Sequence, residues 1–421
     1  MTRLHAPHPH LHDQPVAGAA PGETPDVTFP ALDTLRAVGA IAVLTTHVAF
    51  WAGDYTVGGA WGTVLARLDV GVALFFVLSG FLLSRPWLGR ALDDRPAPST
   101  GRYLWKRLLR IAPLYLLAAV LALALIEDNA DRGPGQWVTT LLLLDTFADS
   151  TDPAGLTHMW SLAVEVTFYL VLPLLMLLAV GRRLRMRRLA AALVVMVALT
   201  CWWHLDGAAR IGTVTPGNPL QWLPAYLSWF ALGIGLAATH ELRVRGRHAW
   251  LTDRVVAVGR APGACWALAL GLLLVSATPL AGPTMLAVPT EAESLTKSVL
   301  YAAIGFLVVV PGLYAPAGGT FLRLMAHPVP RHLGVISYGI FALHLPVLHL
   351  VMHLTGWTLF QVDLLPLWAL TLALSVVVAE AAYWLVERPA LRLKNARLPG
   401  RRRDRDSPAS TSTETSGAST R

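Results

Sequence analysis

The protein has 421 residues, of which 54% are hydrophobic and 14% are charged. Soluble domains carry about 25% charged residues, so this composition excludes an ordinary soluble protein and indicates a chain that lies mostly in lipid. The net charge of +8 does not indicate nucleic-acid binding, because the basic residues form short clusters between apolar runs. Clusters of this kind are typical of residues that set membrane topology.

Apolar runs of about 20 residues predict an all-α fold, a polytopic membrane helix bundle of about ten transmembrane helices. Helices satisfy their own backbone hydrogen bonds in hydrocarbon, and the alternating pattern of a membrane β-barrel is not sustained anywhere in the sequence. A shorter apolar stretch at 137–147 predicts a half-helix or an interfacial segment. The predicted spans are 32–52, 68–88, 103–126, 158–180, 188–206, 222–240, 264–282, 295–315, 334–355 and 362–388.

Three regions are expected: a disordered, His-rich cytoplasmic tail over 1–30, the membrane domain over 31–390, and a disordered, basic, low-complexity cytoplasmic tail over 391–421. The tail histidines favour a flexible segment over a metal site, and Cys201 and Cys265 fit no zinc spacing, so no metal is expected. The basic loops share one side of the membrane if the number of spans is even. We therefore predict a multi-pass protein of the cell membrane with both termini in the cytoplasm.

The first predicted span contains two ionisable residues, Arg36 and His47, which are eleven positions apart. This separation is close to three helical turns, so both side chains lie on one face, ~16 Å apart along the axis. Ionisable groups inside a membrane are costly and usually mark a functional site. In the second span, Ser79 and Gly80 predict close packing against another helix.

The start of the third span carries Arg107 and Arg110, which share one face of a helix. Guanidinium groups suit phosphates, so these residues are candidates for an anion site at the membrane surface. Charge alone favours the alternative that they only anchor the helix on the positive side of the membrane.

The fourth span contains Glu165, and it runs in the opposite direction to the first. Counted from the two ends, Glu165 and His47 lie at about the same level, ~20 Å above the inner boundary. Either the carboxylate pairs with the imidazole and orients it, or each side chain bonds separately to neighbouring helices. Ser161 in the same span and His344 in the ninth are further candidates for lining the site.

Taken in order, several segments resemble the acyltransferase 3 family of integral membrane O-acyltransferases. The opening LDTLRAVGAIAVLTTH is similar to the family's motif of an arginine, ten residues and a histidine. The resemblance covers about 30–390 and departs at one point, where Val166 follows Glu165 although the family often has two acidic residues. No esterase-like domain is expected after the bundle. The other matching segments are FFVLSGFLLSR, KRLLRIAPLY, HMWSLAVEVTFYLVLPLL, ISYGIFALHLPV and LVERP.

The resemblance implies an acyl-CoA donor that arrives from the cytoplasm, with acetyl-CoA as the expected donor and no permanently bound cofactor. It implies that Arg36, Arg107 and Arg110 bind the donor phosphates. His47 is then the expected general base and Glu165 its orienting carboxylate. The expected partners are acyl-CoA, the lipid bilayer and a hydroxylated acceptor, either a sugar or a glycosylated, macrolide-type small molecule.

The alternative function is a transporter or exporter of a glycan or a lipid-linked intermediate. Transporters often contain repeated halves with interrupted spans. No convincing repeat relates 32–240 to 264–388. The sequence therefore favours the enzyme.

Overall fold

A computed structural model describes residues 29–148, 152–181, 183–284 and 287–395. Within these ranges the chain forms helices and no strand. The N-terminal tail and nearly all of the C-terminal tail lie outside the described residues. The prediction of an all-α membrane bundle is confirmed.

Long helices lie at each of the ten predicted positions. Eight stretches of the described chain are long and apolar enough to cross a membrane, and a bent helix pair makes a ninth. A short helix, Pro134–Leu141, occupies the apolar stretch that was predicted not to cross. The long helices are α1 Pro30–Ala52, α2 Gly71–Leu92, α3 Thr100–Leu125, α4 Trp160–Ala179, α5 Met186–Trp202, α6 Leu227–Val244, α7 Pro262–Ser276, α8 Glu291–Tyr314, α9 Ser337–Thr355 and α10 Leu364–Ala382.

Two of the ten helices differ from simple spans. The helix α7 has only 15 residues and is joined to the preceding helix Ala249–Gly259 at an angle of 76°. The bend lies just before Pro262, whose ring cannot continue a preceding helix. In α6 the last turns carry His240, Glu241 and Arg243, and this helix is not among the eight stretches that are long and apolar enough to cross a membrane.

Ion pairs join several helix ends at one end of the bundle, which we call the basic end because it holds Arg36, Arg85, Arg107, Arg110 and Arg245. Arg85 of α2 lies 2.8 Å from Glu241 of α6. Arg110 of α3 lies 2.8 Å from Glu387, in the helical turn after α10. These ion pairs hold the arginine-rich helix ends together at the basic end of the bundle.

Glycines allow α2 and α6 to pack closely. A Cβ atom on Gly80 would meet the backbone carbonyl of Phe230, and one on Gly233 would meet the carbonyl of Val77 and lie 2.7 Å from the backbone nitrogen of Phe81. Small residues at such crossings let helix backbones approach each other. The predicted packing role of Gly80 is confirmed, whereas Ser79 points elsewhere.

Replacing Gly233 with alanine is expected to lower the thermal unfolding temperature of the purified protein. The added methyl group meets backbone atoms that cannot move independently, and overpacking of this kind typically costs about 1–3 kcal/mol. Gly235→Ala is the matched control, because its Cβ would meet only Leu193 at 3.8 Å. Equal unfolding temperatures for the two variants would contradict the close contact.

The chain between α3 and α4 is fixed at the opposite end of the bundle. Asn129 donates hydrogen bonds to the carbonyl groups of Ala122 and Ala154, at 2.9 and 3.0 Å. It also accepts one from the backbone nitrogen of Ala154 at 2.9 Å. These bonds tie the loop to α3, four residues before His158, and so fix where α4 begins.

Candidate active site

A narrow cavity of about 90 Å³ lies between α1, α2, α3, α4 and α9, inside the basic end. This volume equals that of about three water molecules. Its aromatic wall includes Phe75, Phe76 and Phe341. The charged and hydroxyl-bearing residues that line it are Arg36, Ser79, Arg107, Arg110, Ser161, Glu165, Tyr169, Ser337 and Tyr338.

The three predicted arginines meet in this cavity and differ in their partners. Arg110 is paired with Glu387. Among the described residues, Arg36 and Arg107 form no ion pair and no side-chain hydrogen bond, and the Nε atom of Arg107 is buried. A buried polar group without a partner costs about 1–3 kcal/mol, and a charged one costs more. The cavity therefore has an excess of positive charge that an anionic ligand would balance.

Glu165 also lines the cavity, on the face of α4 that meets α2. Its carboxylate accepts hydrogen bonds from the Ser79 hydroxyl and from the Tyr169 hydroxyl, the second at 2.6 Å. Within the described part of the chain it makes no hydrogen bond to His47. The sequence left open whether Glu165 pairs with His47 or whether each bonds to other helices. The structure has the second arrangement, because Glu165 is turned toward α2.

A second group, which we call the histidine cluster, consists of His47, His158 and His344. His344 Nε2 lies 3.2 Å from His47 Nδ1. The ring centres of His344 and His158 are 4.6 Å apart, and those of His47 and His158 are 6.0 Å apart. The helices α1 and α9 and the turn before α4 thus bring three imidazoles together.

Backbone carbonyl groups fix the proton positions in two of these rings. His47 Nδ1 lies 2.8 Å from the carbonyl oxygen of Val43, and His344 Nδ1 lies 2.7 Å from that of Phe341. A carbonyl oxygen only accepts, so in each neutral ring Nδ1 carries the hydrogen. The single hydrogen on His47 Nδ1 points to the Val43 carbonyl oxygen, and the lone pair of His344 Nε2, at 3.2 Å, lies beside it as a second, weaker acceptor. This leaves Nε2 of His47 unprotonated, as a general base requires.

His158, which was not among the site residues predicted from the sequence, lies two residues before α4 begins. Its side chain is buried, with 3% of the residue exposed, and neither ring nitrogen has a hydrogen-bond partner among the described residues. His158 and Glu165 are seven positions apart, close to two helical turns. That spacing was the available signal, and it was overlooked because the predicted site was built from depth alone.

The cavity and the histidine cluster are neighbours separated by one aromatic side chain. Phe341 lines the cavity, and its ring centre lies 5.0 Å from that of His158 and 6.2 Å from that of His344. In the described chain, no histidine of the cluster lines the cavity. Ser161 connects the two regions, since it lines the cavity while its hydroxyl donates to the carbonyl oxygen of His158 at 3.1 Å.

The loop near the cluster contains a carboxyl group with an unusual affinity for protons. Partial burial raises the pKa of Asp152 to about 6, and the nearby charge of Asp145 acts in the same direction, while Arg132 opposes them. The surface at this end of the bundle therefore becomes more negative as the pH rises through about 6. In the described residues, no set of three acidic, histidine or cysteine side chains is placed to hold a metal ion.

These features define a multi-pass membrane protein with a buried basic cavity beside a cluster of histidines. The chain belongs to the acyltransferase 3 family, because that family's model, described as an acyltransferase domain, matches residues 29–384. The resemblance inferred from the ordered segments is thereby confirmed. No solved structure matches the chain.

Two similar proteins match most of this chain, and a third matches about one third of it. Nodulation protein 10 of Rhizobium leguminosarum bv. viciae is 28% identical over 86% of this chain and 94% of its own length. Acyltransferase MdmB of Streptomyces mycarofaciens is 29% identical over 89% of this chain and 94% of its own length. Peptidoglycan O-acetyltransferase OatA of Listeria monocytogenes is 26% identical over 35% of this chain and 24% of its own.

Proposed function

We propose that this protein is a membrane O-acyltransferase that moves a short acyl group, with acetyl as the expected one, from acyl-CoA to a hydroxyl group. The acceptor is a carbohydrate or a glycosylated, macrolide-type small molecule. The family supports acyl transfer, and two relatives carry the words acyltransferase and O-acetyltransferase in their names. The donor and the acceptor class are our proposal.

The observation that carries the proposal is the excess of arginine in a buried cavity that adjoins a histidine with a free base nitrogen. Acyl-CoA is a long, thin molecule with phosphates at one end and the thioester at the other. Arg36 and His47 lie ~16 Å apart along one helix, so phosphates held by the arginines leave the thioester end free to approach the histidine. Fork-shaped guanidinium groups bind phosphate in two places at once.

In this proposal His47 Nε2 removes the proton from the acceptor hydroxyl as the oxygen attacks the thioester carbon. A positioned general base of this kind contributes ~10²–10⁴ in rate. The same nitrogen could instead attack the thioester and form an acyl-histidine. His344 holds the His47 ring through the 3.2 Å contact with Nδ1. Glu165 acts from inside the cavity, where it orients Ser79 and Tyr169 beside the arginines.

The proposal places the protein in the cell membrane with the basic end and both termini in the cytoplasm. The support is the concentration of arginines at one end of the bundle, since cytoplasmic loops carry an excess of lysine and arginine. Acyl-CoA would then enter from the cytoplasm. The transporter alternative gains no support from the cavity, because Phe341 lies between it and the histidine cluster.

The test is to incubate the purified protein with acetyl-CoA carrying a labelled acetyl group and with a panel of sugars and glycosylated macrolides. Release of CoA together with label on an acceptor supports the proposal. Acetyl-CoA binding, measured by the shift in thermal unfolding temperature, provides a readout that needs no acceptor. A folded protein that neither binds acetyl-CoA nor releases CoA would refute the proposed function.

A further inference from the structure

We propose that His158 is a further catalytic residue, whose ring N–H donates a hydrogen bond to the thioester carbonyl oxygen when negative charge develops there. The inference rests on the proposed function and assigns a group that stabilises the oxyanion of the same reaction. Four features of the structure support it: an absent partner, the position of the ring, its charge state and its relation to Phe341.

The first feature is that the His158 ring is polar, buried and without a partner. Only 3% of the residue is exposed, and neither nitrogen forms a hydrogen bond with another described residue. The carbonyl groups of Phe341 and Ala342 lie close enough to attract a protonated ring, but neither accepts a hydrogen bond of ordinary geometry. Buried polar groups in folded proteins almost always have partners. The missing partner is therefore expected to be a ligand.

The second feature is the position of the ring relative to the proposed base. The ring centres of His47 and His158 are 6.0 Å apart, face to edge. The reacting group must lie about 3 Å from the base nitrogen and about 3 Å from the oxyanion donor, and two rings this close together can both reach one carbonyl group placed beside them. The thioester carbonyl group would occupy this place, with its carbon toward the acceptor oxygen and its own oxygen toward His158.

The third feature is that His158 remains neutral. Burial disfavours a charged imidazole, and a second positive charge in the cluster would be repelled by the first. His344 at 4.6 Å and His47 at 6.0 Å are the neighbouring titratable rings. A neutral imidazole keeps one N–H to donate. Only His47 needs to become positive during the reaction, and it does so next to the lone pair of His344.

The fourth feature is the separation by Phe341, which explains why the His158 ring lacks a partner in this state. The Phe341 ring contacts His158 from the cavity side, with 5.0 Å between the ring centres. It also packs against Phe75, with 5.8 Å between the ring centres. Rotation of this one side chain would join the cavity to the cluster. The acyl end of the donor would then replace the phenyl ring against His158.

Acyl transfer proceeds by addition of the acceptor oxygen to the thioester carbon, followed by loss of CoA. The acceptor oxygen forms a bond to the thioester carbon while its proton passes to His47 Nε2. The electron pair of the C=O bond moves to the carbonyl oxygen, which accepts the His158 hydrogen bond. The carbonyl bond then re-forms, the C–S bond breaks, and the departing sulfur of CoA takes the proton from His47. His158 keeps its proton throughout.

The test compares His158→Phe, which keeps a flat ring without a donor, with His158→Gln, which restores an N–H. For His158→Phe we expect kcat to fall about 10²- to 10³-fold, as for the loss of one oxyanion donor. The KM for acetyl-CoA should stay within about threefold, since the arginines are unchanged. The kcat of His158→Gln should be at least tenfold higher than that of His158→Phe. His349→Phe is the matched control, because His349 also lies on a partly buried face, against Trp51 at 4.5 Å, and should leave kcat unchanged.

Stability distinguishes this role from a structural one. Since the ring has no partner to lose, His158→Phe should unfold at the same temperature as the wild type or at a higher one. A His158→Phe protein with near-normal kcat would overturn the inference and leave the proposed function intact. The inference would also be overturned if His158→Phe lost kcat together with a lower unfolding temperature, and if His158→Gln showed the same loss of kcat. A wild type that releases no CoA would refute the proposed function itself.

Discussion

Replacing His47 with glutamine is expected to lower kcat for acetyl transfer by ~10²–10⁴, the usual contribution of a positioned general base. Glutamine keeps a polar side chain beside the carbonyl of Val43, but its amide cannot accept a proton at neutral pH. Binding of acetyl-CoA should change little, because the arginines that are proposed to hold its phosphates lie ~16 Å away along α1. The measurement is the rate of CoA release at saturating acceptor, together with the dissociation constant of acetyl-CoA.

The control for this prediction is His353→Gln, which changes an exposed histidine on α9 that lies outside the cluster. It should retain wild-type kcat and the wild-type affinity for acetyl-CoA. Turnover by His47→Gln within about tenfold of the wild type would show that another group removes the proton. Loss of acetyl-CoA binding in the same variant would show instead that the site had been disturbed as a whole.

Replacing Arg107 with glutamine is expected to raise the KM for acetyl-CoA about 10- to 100-fold, with a smaller change in kcat. Hydrogen bonds to charged groups are worth about 1.5–3 kcal/mol, which corresponds to this range. Arg107 suits the experiment because it has no carboxylate partner among the described residues, so removing it leaves no other charge unpaired. Arg110→Gln is less informative, since it would strand Glu387, whose side chain is 2% exposed.

Lys106→Gln provides the matched control for Arg107. It makes the same change of charge one residue earlier on α3, and Lys106 does not line the cavity. The two variants should therefore differ in KM although their net charges are equal. A KM that rises equally in both would indicate general attraction to the basic end. An unchanged KM in Arg107→Gln would contradict the phosphate role.

The convergence of the three arginines could be predicted because it depends on only two things. One is the position of each residue in its span, and the other is the side of the membrane on which that span begins. Arg36 is the seventh residue of α1, and Arg107 and Arg110 are the eighth and eleventh of α3, so all three lie toward the same end of a bundle with alternating helices. The cavity that they line confirms that they share one place, and their role there remains a prediction.

The partner of Glu165 could not be predicted from the same information. Depth follows from counting residues, but the rotation of a helix about its axis depends on the neighbours that it packs against. The sequence predicted that Glu165 and His47 lie at one level, whereas Glu165 lines the cavity with Arg36 and accepts a hydrogen bond from Ser79 on α2, and His47 does not line that cavity. His158 was missed although it begins the predicted span 158–180, because a residue at the end of a span was not counted among the buried ionisable groups.

The fold was predictable to the level of helix number and order, and less so in shape. Apolar length indicated a straight span at 264–282, whereas the chain bends by 76° before α7 and that helix ends at Ser276. Only one side of the close contact between α2 and α6 could be predicted from the sequence. Gly80 marked one side of it, but the matching Gly233 lies in a segment with Gly235, and the sequence does not show which of the two faces α2.

The single phenyl ring between the cavity and the histidines has a consequence for the cell as well as for the reaction. An enzyme that admits a water-soluble donor from one compartment into the middle of a bilayer risks becoming a pore. Among the described residues, Phe341 closes the cavity before it reaches the cluster. We therefore expect this ring to keep the basic cavity separate from the histidine cluster between turnovers, and so to limit the passage of protons and small ions.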